Sequence, residues 1–293
     1  MSDYQRDLQE EGARWGAEAA SQAQTIPPDW RYHRTLRHNV IMHTADIDAL
    51  LDHVKPGMRV LELGCSSGWL TLAMAQRGAQ ATGIDVSEES LQIARDYYAK
   101  VRAETTGKAS YVAADLNQLD LPAESCDLVA IKGTLHHLMN MDHVITEIHK
   151  ALKPGGLLWV SDSDGDEALT TVLAASAFTL VLPTQVSYRE KFSSLLRFGL
   201  RSPSRVKASM EAEGSSPFEG AGREHNWVKL IQQQFTVEAL GRAPAFTGYL
   251  TAQLKLPDSL ALPLLRTIRA GDRLLVRAHL LHSTGVVLYA RKT

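Results

Sequence analysis

Cysteine is scarce: the 293-residue chain contains two, Cys65 and Cys126. Two thiols cannot build a disulfide framework or a four-thiolate zinc site, so a reducing compartment is expected. An excess of charge of one sign is missing too, because 31 Lys and Arg stand against 33 Asp and Glu, a formal net charge of −2. No whole-molecule field draws such a chain to nucleic acid or to an anionic membrane. No apolar run is long enough to span a bilayer. The longest, Ala168 to Leu182, has 15 residues, about 22 Å of helix against about 30 Å of hydrocarbon. Neither a fixed-period repeat nor a long low-complexity tract is visible, which excludes a solenoid. The opening residues MSDYQRDLQEEGARW lack a basic start followed by an apolar core, so no secretory signal is expected and a cytoplasmic location is. What remains is ordinary globular composition, 44% hydrophobic and 22% charged, with ample length for a buried core.

The first 50 residues are polar and split by Pro27-Pro28, and they read as a helical cap (1–50). From Lys55 the texture changes to short apolar runs alternating with helical patterns. Met58 to Leu63, Ala79 to Ile84, Ser110 to Ala114, Cys126 to Ile131 and Leu157 to Ser161 read as five strands. Between them, Gly68 to Arg77, a helix begun by Ser87 and running to about Gly107, and Met141 to Leu152 read as crossover helices. Strand, helix, strand in succession implies an α/β fold, a Rossmann-like doubly wound sheet, over 51–163. The rhythm breaks over 164–222, which reads as an inserted lid, and 223–293 completes the sheet with Phe235 to Leu240 and Gly285 to Ala290. Seven strands are expected, mostly parallel, with Gly285 to Ala290 antiparallel; Pro257 to Leu275 reads as a helix.

The most informative stretch is Val60-Leu61-Glu62-Leu63-Gly64-Cys65-Ser66-Ser67-Gly68-Trp69, a strand and a glycine-bearing turn that opens a helix. Gly64 and Gly68 carry no Cβ to keep backbone from a ligand, and the helix start offers free N–H groups. Asp85 ends the second strand 23 positions after Glu62, where a carboxylate can accept from both hydroxyls of a ribose. Asp115-Leu116 follows the third strand, where a polar group can meet an adenine. These residues lie at the carboxyl ends of successive strands, the ligand-binding edge of open α/β sheets.

In LELGCSSGWLT, TGIDVSEESLQIAR, YVAADLNQLDLPAESCDLV and LHHLMNMDHVITEIHKALKPGGLLWVSD the chain resembles the class I S-adenosylmethionine-dependent methyltransferases, in particular the small-molecule enzymes. The resemblance covers about Val60 to Asp162. It departs at Ser66, where the family pattern has the middle glycine of its loop. It implies S-adenosylmethionine as cofactor, with Glu62, Gly64, Cys65 and Gly68 at the methionine part, Asp85 at the ribose, Val86, Asp115 and Leu116 at the adenine, and Lys132 passing its backbone near the methionine end.

Methyl transfer needs the acceptor held in line with methyl and sulfur, and positioning supplies effective molarities of about 10⁵–10⁸ M, whereas a general base adds about 10²–10⁴-fold. His136 and His137, after the fourth strand, are the base candidates, since a histidine titrates near neutrality. Their presence favours a small-molecule hydroxyl over nitrogen or carbon as acceptor. Candidate acceptor contacts are Tyr32 and His33 from the cap, Asp162 at the end of the fifth strand, and Tyr188 and Arg189 in a basic stretch with Lys191, Arg197, Arg201, Arg205 and Lys207. Each has a plainer explanation as packing, capping or a solvated face. The Ala168 to Leu182 run could pack a substrate tail, a homodimer partner or the domain's own core. The histidines show no metal-ligand spacing, so no metal is expected.

Three rivals remain. A nicotinamide-dependent oxidoreductase would share the architecture, but its fingerprint G-x-G-x-x-G is absent. A methyltransferase acting on RNA or protein would use basic segments such as Arg266, Arg269, Arg273 and Arg277; the charge balance opposes it, and nucleic acid is not expected as a partner. A cofactor-binding module without activity is the third.

Overall fold

A computed structural model describes residues 2–163, 169–198, 217–218 and 226–293. The strands are β1 (Arg59–Leu63), β2 (Gln80–Asp85), β3 (Lys108–Ala113), β4 (Cys126–Lys132), β5 (Leu152–Asp162), β6 (Thr236–Arg242) and β7 (Val286–Arg291). They form one seven-stranded sheet in the order β3-β2-β1-β4-β5-β7-β6. β1 to β5 run parallel, and β7 lies antiparallel between β5 and β6. The expected Rossmann-like architecture and its antiparallel member are therefore present. The order reverses between β1 and β4, which opens a crevice at their carboxyl ends.

The central strands are buried on both faces because successive side chains alternate sides. Leu61, Leu63, Val129, Ile131 and Val160 pack with Val144, Ile145 and Ile148 of α7 (Met141–Ala151). Val60, Leu128, Ala130 and Trp159 pack on the other side, with Leu70 and Met74 of α5 (Trp69–Gln76). Glu62 shares the second face by the same alternation, which puts a carboxyl against α5.

The cap comprises α1 (Asp3–Ala23), α2 (Trp30–His33), α3 (Arg37–Met42) and α4 (Thr44–His53). Ser2 and Gln5 form a reciprocal capping box at the start of α1. α1 crosses α6 (Glu88–Val101) closely: a Cβ on Gly16 would come within 2.9 Å of Glu89 Cβ and 3.0 Å of Ser87 Oγ. After β5 follow α8 (Leu169–Val181), α9 (Tyr188–Phe198), α10 (Trp227–Gln234), α11 (Thr247–Gln253) and α12 (Asp258–Arg277). Ala174, Ala175 and Leu182 of the apolar run join a third core with Ile41, Phe246 and Leu250, while Leu173 and Val181 are exposed. No described helix is long and apolar enough to cross a membrane.

Two boundaries differ from the sequence reading by more than two residues. α6 stops at Val101 and a 3₁₀ turn, Arg102–Glu104, continues it. β5 starts five residues early, because Lys153 to Gly156 remain in the strand across a register shift between Cys126 and Leu128. Gly155 N–H donates to Lys292 O (2.8 Å) and Lys292 N–H to Gly156 O (3.1 Å), so the apparent turn is tied to the chain just beyond β7. Much of the expected lid, including Arg201, Arg205, Lys207 and the Arg197 side chain, lies outside the described residues.

Candidate active site

The turn after β1 takes left-handed backbone at Gly64 (φ 73°), Ser66 (φ 46°) and Gly68 (φ 74°). A Cβ at Gly64 would run into the Thr134 side chain, so the glycine is needed for close approach. Asp85 holds this turn: one carboxylate oxygen accepts from Ser66 N–H (2.8 Å) and the other from Ser87 N–H (2.9 Å). Burial pushes the Asp85 carboxyl above its ordinary value, against those hydrogen bonds.

Two cavities open at the crevice. The smaller, about 260 Å³, is lined by Gly64, Ser66, Asp85, Val86, Asp115, Leu116, Lys132 and His137, and is roofed by Leu8, Glu11, Trp15 and Glu18 of α1. Its described lining carries four acidic side chains, Glu11, Glu18, Asp85 and Asp115, against one ammonium, Lys132. Tyr4 fixes the roof by donating to Asp115 (2.6 Å), and burial raises its phenol to about 12.

The larger cavity, about 460 Å³, shares Lys132 and Gly133 with the first and adds His38, His43, Asp46, His136, Asp162 and Arg273 among its lining. Burial pushes Lys132 down while Asp162 and Glu62 pull it up. Burial, then the Lys132 charge, lowers His38 and takes His43 to about 3, so both rings are neutral at pH 7.

The two base candidates face different cavities. His136 lines the larger one and its Nδ1 lies 2.6 Å from Asp162 Oδ1. Asp162 also accepts from Thr134 N–H, Leu135 N–H and Ser163 N–H, all at 2.7 Å. Its carboxylate is committed to the loop and to His136, so it positions a ring where the sequence suggested an acceptor contact. His137 lines the smaller cavity, with Nδ1 3.4 Å from Glu11 Oε1 and its ring edge-on to Trp15.

Several sequence candidates line neither cavity. Glu62 is buried beneath the turn and accepts from Thr71 Oγ1; burial takes its carboxyl to about 8. Cys65 is buried and its thiol is pushed up by burial. Gly68 closes the turn by donating to Cys65 O (2.8 Å). His33 stacks on Trp69, and Tyr32 is exposed. Tyr188 is exposed and donates to Val181 O (2.9 Å); Arg189 is exposed. Lys191 is buried and donates to Leu182 O (2.7 Å). Of the arginines on α12, Arg273 lines the larger cavity and Arg269 is half-buried, which leaves Arg266 and Arg277 exposed.

Sequence reasoning missed Glu11, Glu18, Asp46 and Arg273 as lining residues. The signal available for α1 was a stripe of Leu8, Glu11, Trp15 and Glu18 at helical spacing, acidic and apolar on one face. Asp46 and Arg273 had no local signal, because the fold brings them to one cavity from α4 and α12, which lie far apart in the chain. No group of three or more His, Cys, Asp or Glu suited to a metal ion occurs among the described residues.

Against known proteins, the family described as methyltransferase domain matches residues 61–160. A ubiquinone biosynthesis O-methyltransferase of Bordetella avium (strain 197N) is 32% identical over 178 residues, 60% of this chain and 69% of that protein. The corresponding protein of Idiomarina loihiensis is 37% identical over 106 residues, 36% of this chain and 42% of its own length. Among solved structures, a geranyl diphosphate C-methyltransferase from Streptomyces coelicolor A3(2) superposes with a TM-score of 0.54 at 13% identity, covering 85% of this chain and 78% of that one. That likeness concerns the fold.

Proposed function

The chain belongs to the S-adenosylmethionine-dependent methyltransferases, and we propose that it methylates a hydroxyl of a small organic acceptor held in the larger cavity. The acidic lining of the smaller cavity suits a cofactor that carries a sulfonium and an ammonium, and would repel the pyrophosphate of a nicotinamide dinucleotide. In this reading Asp85 binds the ribose hydroxyls, Val86, Asp115 and Leu116 border the adenine, and the Gly64 turn borders the methionine part.

Bound S-adenosylmethionine supplies a methyl group whose C–S bond breaks as the acceptor O–C bond forms, the electron pair going to sulfur. The chain's task is to aim the acceptor and receive its proton. The observation that carries the reading is the His136–Asp162 pair in the wall of a cavity that meets the cofactor cavity at Lys132 and Gly133. With Nδ1–H donated to Asp162, the imidazole lone pair sits on Nε2, and that nitrogen takes the hydroxyl proton. A positive Lys132 at the shared edge favours the acceptor oxygen as it ionises. His38 and His43, held neutral, add hydrogen-bonding capacity to the same wall without adding positive charge.

The relatives named as ubiquinone biosynthesis O-methyltransferases support oxygen as the acceptor atom. The near balance of 31 basic and 33 acidic residues supports a small molecule over a nucleic acid, and we assign the reaction to the cytoplasm. A homodimer joined at the exposed side of α8 remains part of the proposal. The test is release of S-adenosylhomocysteine over a panel of catechols, hydroxybenzoates and aliphatic alcohols, with His136→Gln alongside. Methyl transfer to a hydroxylated member, lost by about 10²–10⁴-fold in the variant, is expected. Methylation of nitrogen or carbon only, or of tRNA, would overturn the reading.

A further inference from the structure

Glu11 is 5% exposed and lies in the roof of the cofactor cavity. Its Oε1 accepts from Trp15 Nε1 at 2.7 Å and sits 3.4 Å from His137 Nδ1. Its Oε2 is buried and has no hydrogen-bond partner among the described residues. A buried carboxylate oxygen left unpaired carries the cost of desolvation with no bond in return. The neighbourhood sharpens the demand, since the Glu11 charge acts on Asp85 and both residues line the same cavity. Such a pair is completed by a ligand that offers donors or positive charge.

We propose that Glu11 is a cofactor-binding residue, its Oε2 accepting a hydrogen bond from a donor of S-adenosylmethionine, either a ribose hydroxyl or the α-ammonium. α1 then contributes to the site directly, in addition to covering it. The role of Glu62 fits this division, because that carboxyl is occupied by Thr71 and lines neither cavity. The inference rests on the family's cofactor and is independent of the acceptor chemistry.

The experiment is calorimetric titration of wild type and Glu11→Gln with S-adenosylhomocysteine and with 5′-methylthioadenosine, which has the ribose and lacks the amino-acid part. Glutamine keeps an oxygen for Trp15 and replaces the second acceptor with an amide donor. A loss of about tenfold or more is expected, as for a charge-assisted hydrogen bond; a smaller change for both ligands overturns the proposal. Equal losses assign the ribose hydroxyl, and a loss confined to S-adenosylhomocysteine assigns the ammonium. Melting without ligand supplies the second readout. Removing a buried charge should leave the ligand-free Tm unchanged or higher while the ligand-induced rise shrinks. A lower ligand-free Tm with the full ligand-induced rise would mark Glu11 as structural only and overturn the proposal. If the variant does not fold, the wild-type complex with S-adenosylhomocysteine decides: Oε2 within about 3.2 Å of a cofactor nitrogen or oxygen supports it, and a greater separation overturns it. Wild-type protein that binds neither ligand would instead sink the cofactor assignment.

Discussion

Glu62→Gln separates a buried structural carboxyl from a cofactor contact. Glu62 is 3% exposed, accepts from Thr71 Oγ1 and has its carboxyl raised from 4.5 to about 8, burial being the largest cause. Folding at pH 7 must therefore protonate a group that is ionised in the unfolded chain. The sign follows from linkage. The native state holds the extra proton between about 4.5 and 8, so the contribution of the neutral carboxyl is complete below 4.5 and lost as pH rises through 8. At about 1.4 kcal/mol per tenfold change in proton affinity, the loss is roughly 3 kcal/mol by pH 7 and roughly 5 kcal/mol above pH 8. Glutamine keeps an oxygen for Thr71 and titrates in neither state. The variant should match wild type near pH 4.5 and exceed it by a few kcal/mol at pH 7 and above, read by urea unfolding with tryptophan fluorescence. Because Glu62 lines neither cavity, affinity for S-adenosylhomocysteine should stay within about threefold, less than one charged hydrogen bond. A stability difference that is constant from pH 5 to 9 would show that Glu62 is ionised in the fold and refute the reasoning. A tenfold loss of affinity would return Glu62 to the cofactor site.

Asp85→Ala should weaken S-adenosylhomocysteine by about 1.5–3 kcal/mol in calorimetry, with a further loss as the Ser66 and Ser87 N–H groups lose their acceptor; unchanged affinity in a folded variant would refute the ribose role. Asp162→Asn places an amide against either His136 or the Thr134 and Leu135 N–H groups. Its turnover should fall about 10²–10⁴-fold with cofactor affinity near wild type, and turnover within tenfold of wild type would count against the base. Asp272 is buried and accepts from Ala245 N–H, Phe246 N–H, Thr247 N–H and Thr247 Oγ1 at 2.7–2.9 Å. Asp272→Ala should cost about 4 kcal/mol of stability in urea unfolding; a loss under about 1 kcal/mol would show that water replaces the carboxylate there.

Much of the fold was legible because its determinants are local. Leu128 to Ile131 is a continuous apolar run and Val60 to Leu63 is broken only by Glu62, as strands covered on both faces require, and Ser87 with two following glutamates marks a helix start on its own. The β5 boundary was not legible, since Gly155 and Gly156 look like a turn until Lys292 is brought beside them. In the site, Asp85 and the Gly64 turn were legible from strand ends and from the steric freedom of glycine.

The sequence by itself determined the doubly wound sheet, the crevice at the ends of β1, β2 and β4, and part of its border, the Gly64 turn, Asp85, Val86, Asp115, Leu116 and Lys132. Those features depend on side-chain period, on φ and on spacing within about a hundred residues of chain. Only the tertiary structure decided that Glu62 turns under the turn toward Thr71, that His136 and His137 look into different cavities, and that Glu11 and Trp15 of α1 roof the smaller cavity. These are questions of which surfaces meet. α1 meets Asp115 through Tyr4, 111 positions away, and α3 meets α12 through Arg37 and Asp258, 221 positions apart. No local pattern encodes such meetings, because burial of apolar area sets them and is indifferent to separation along the chain.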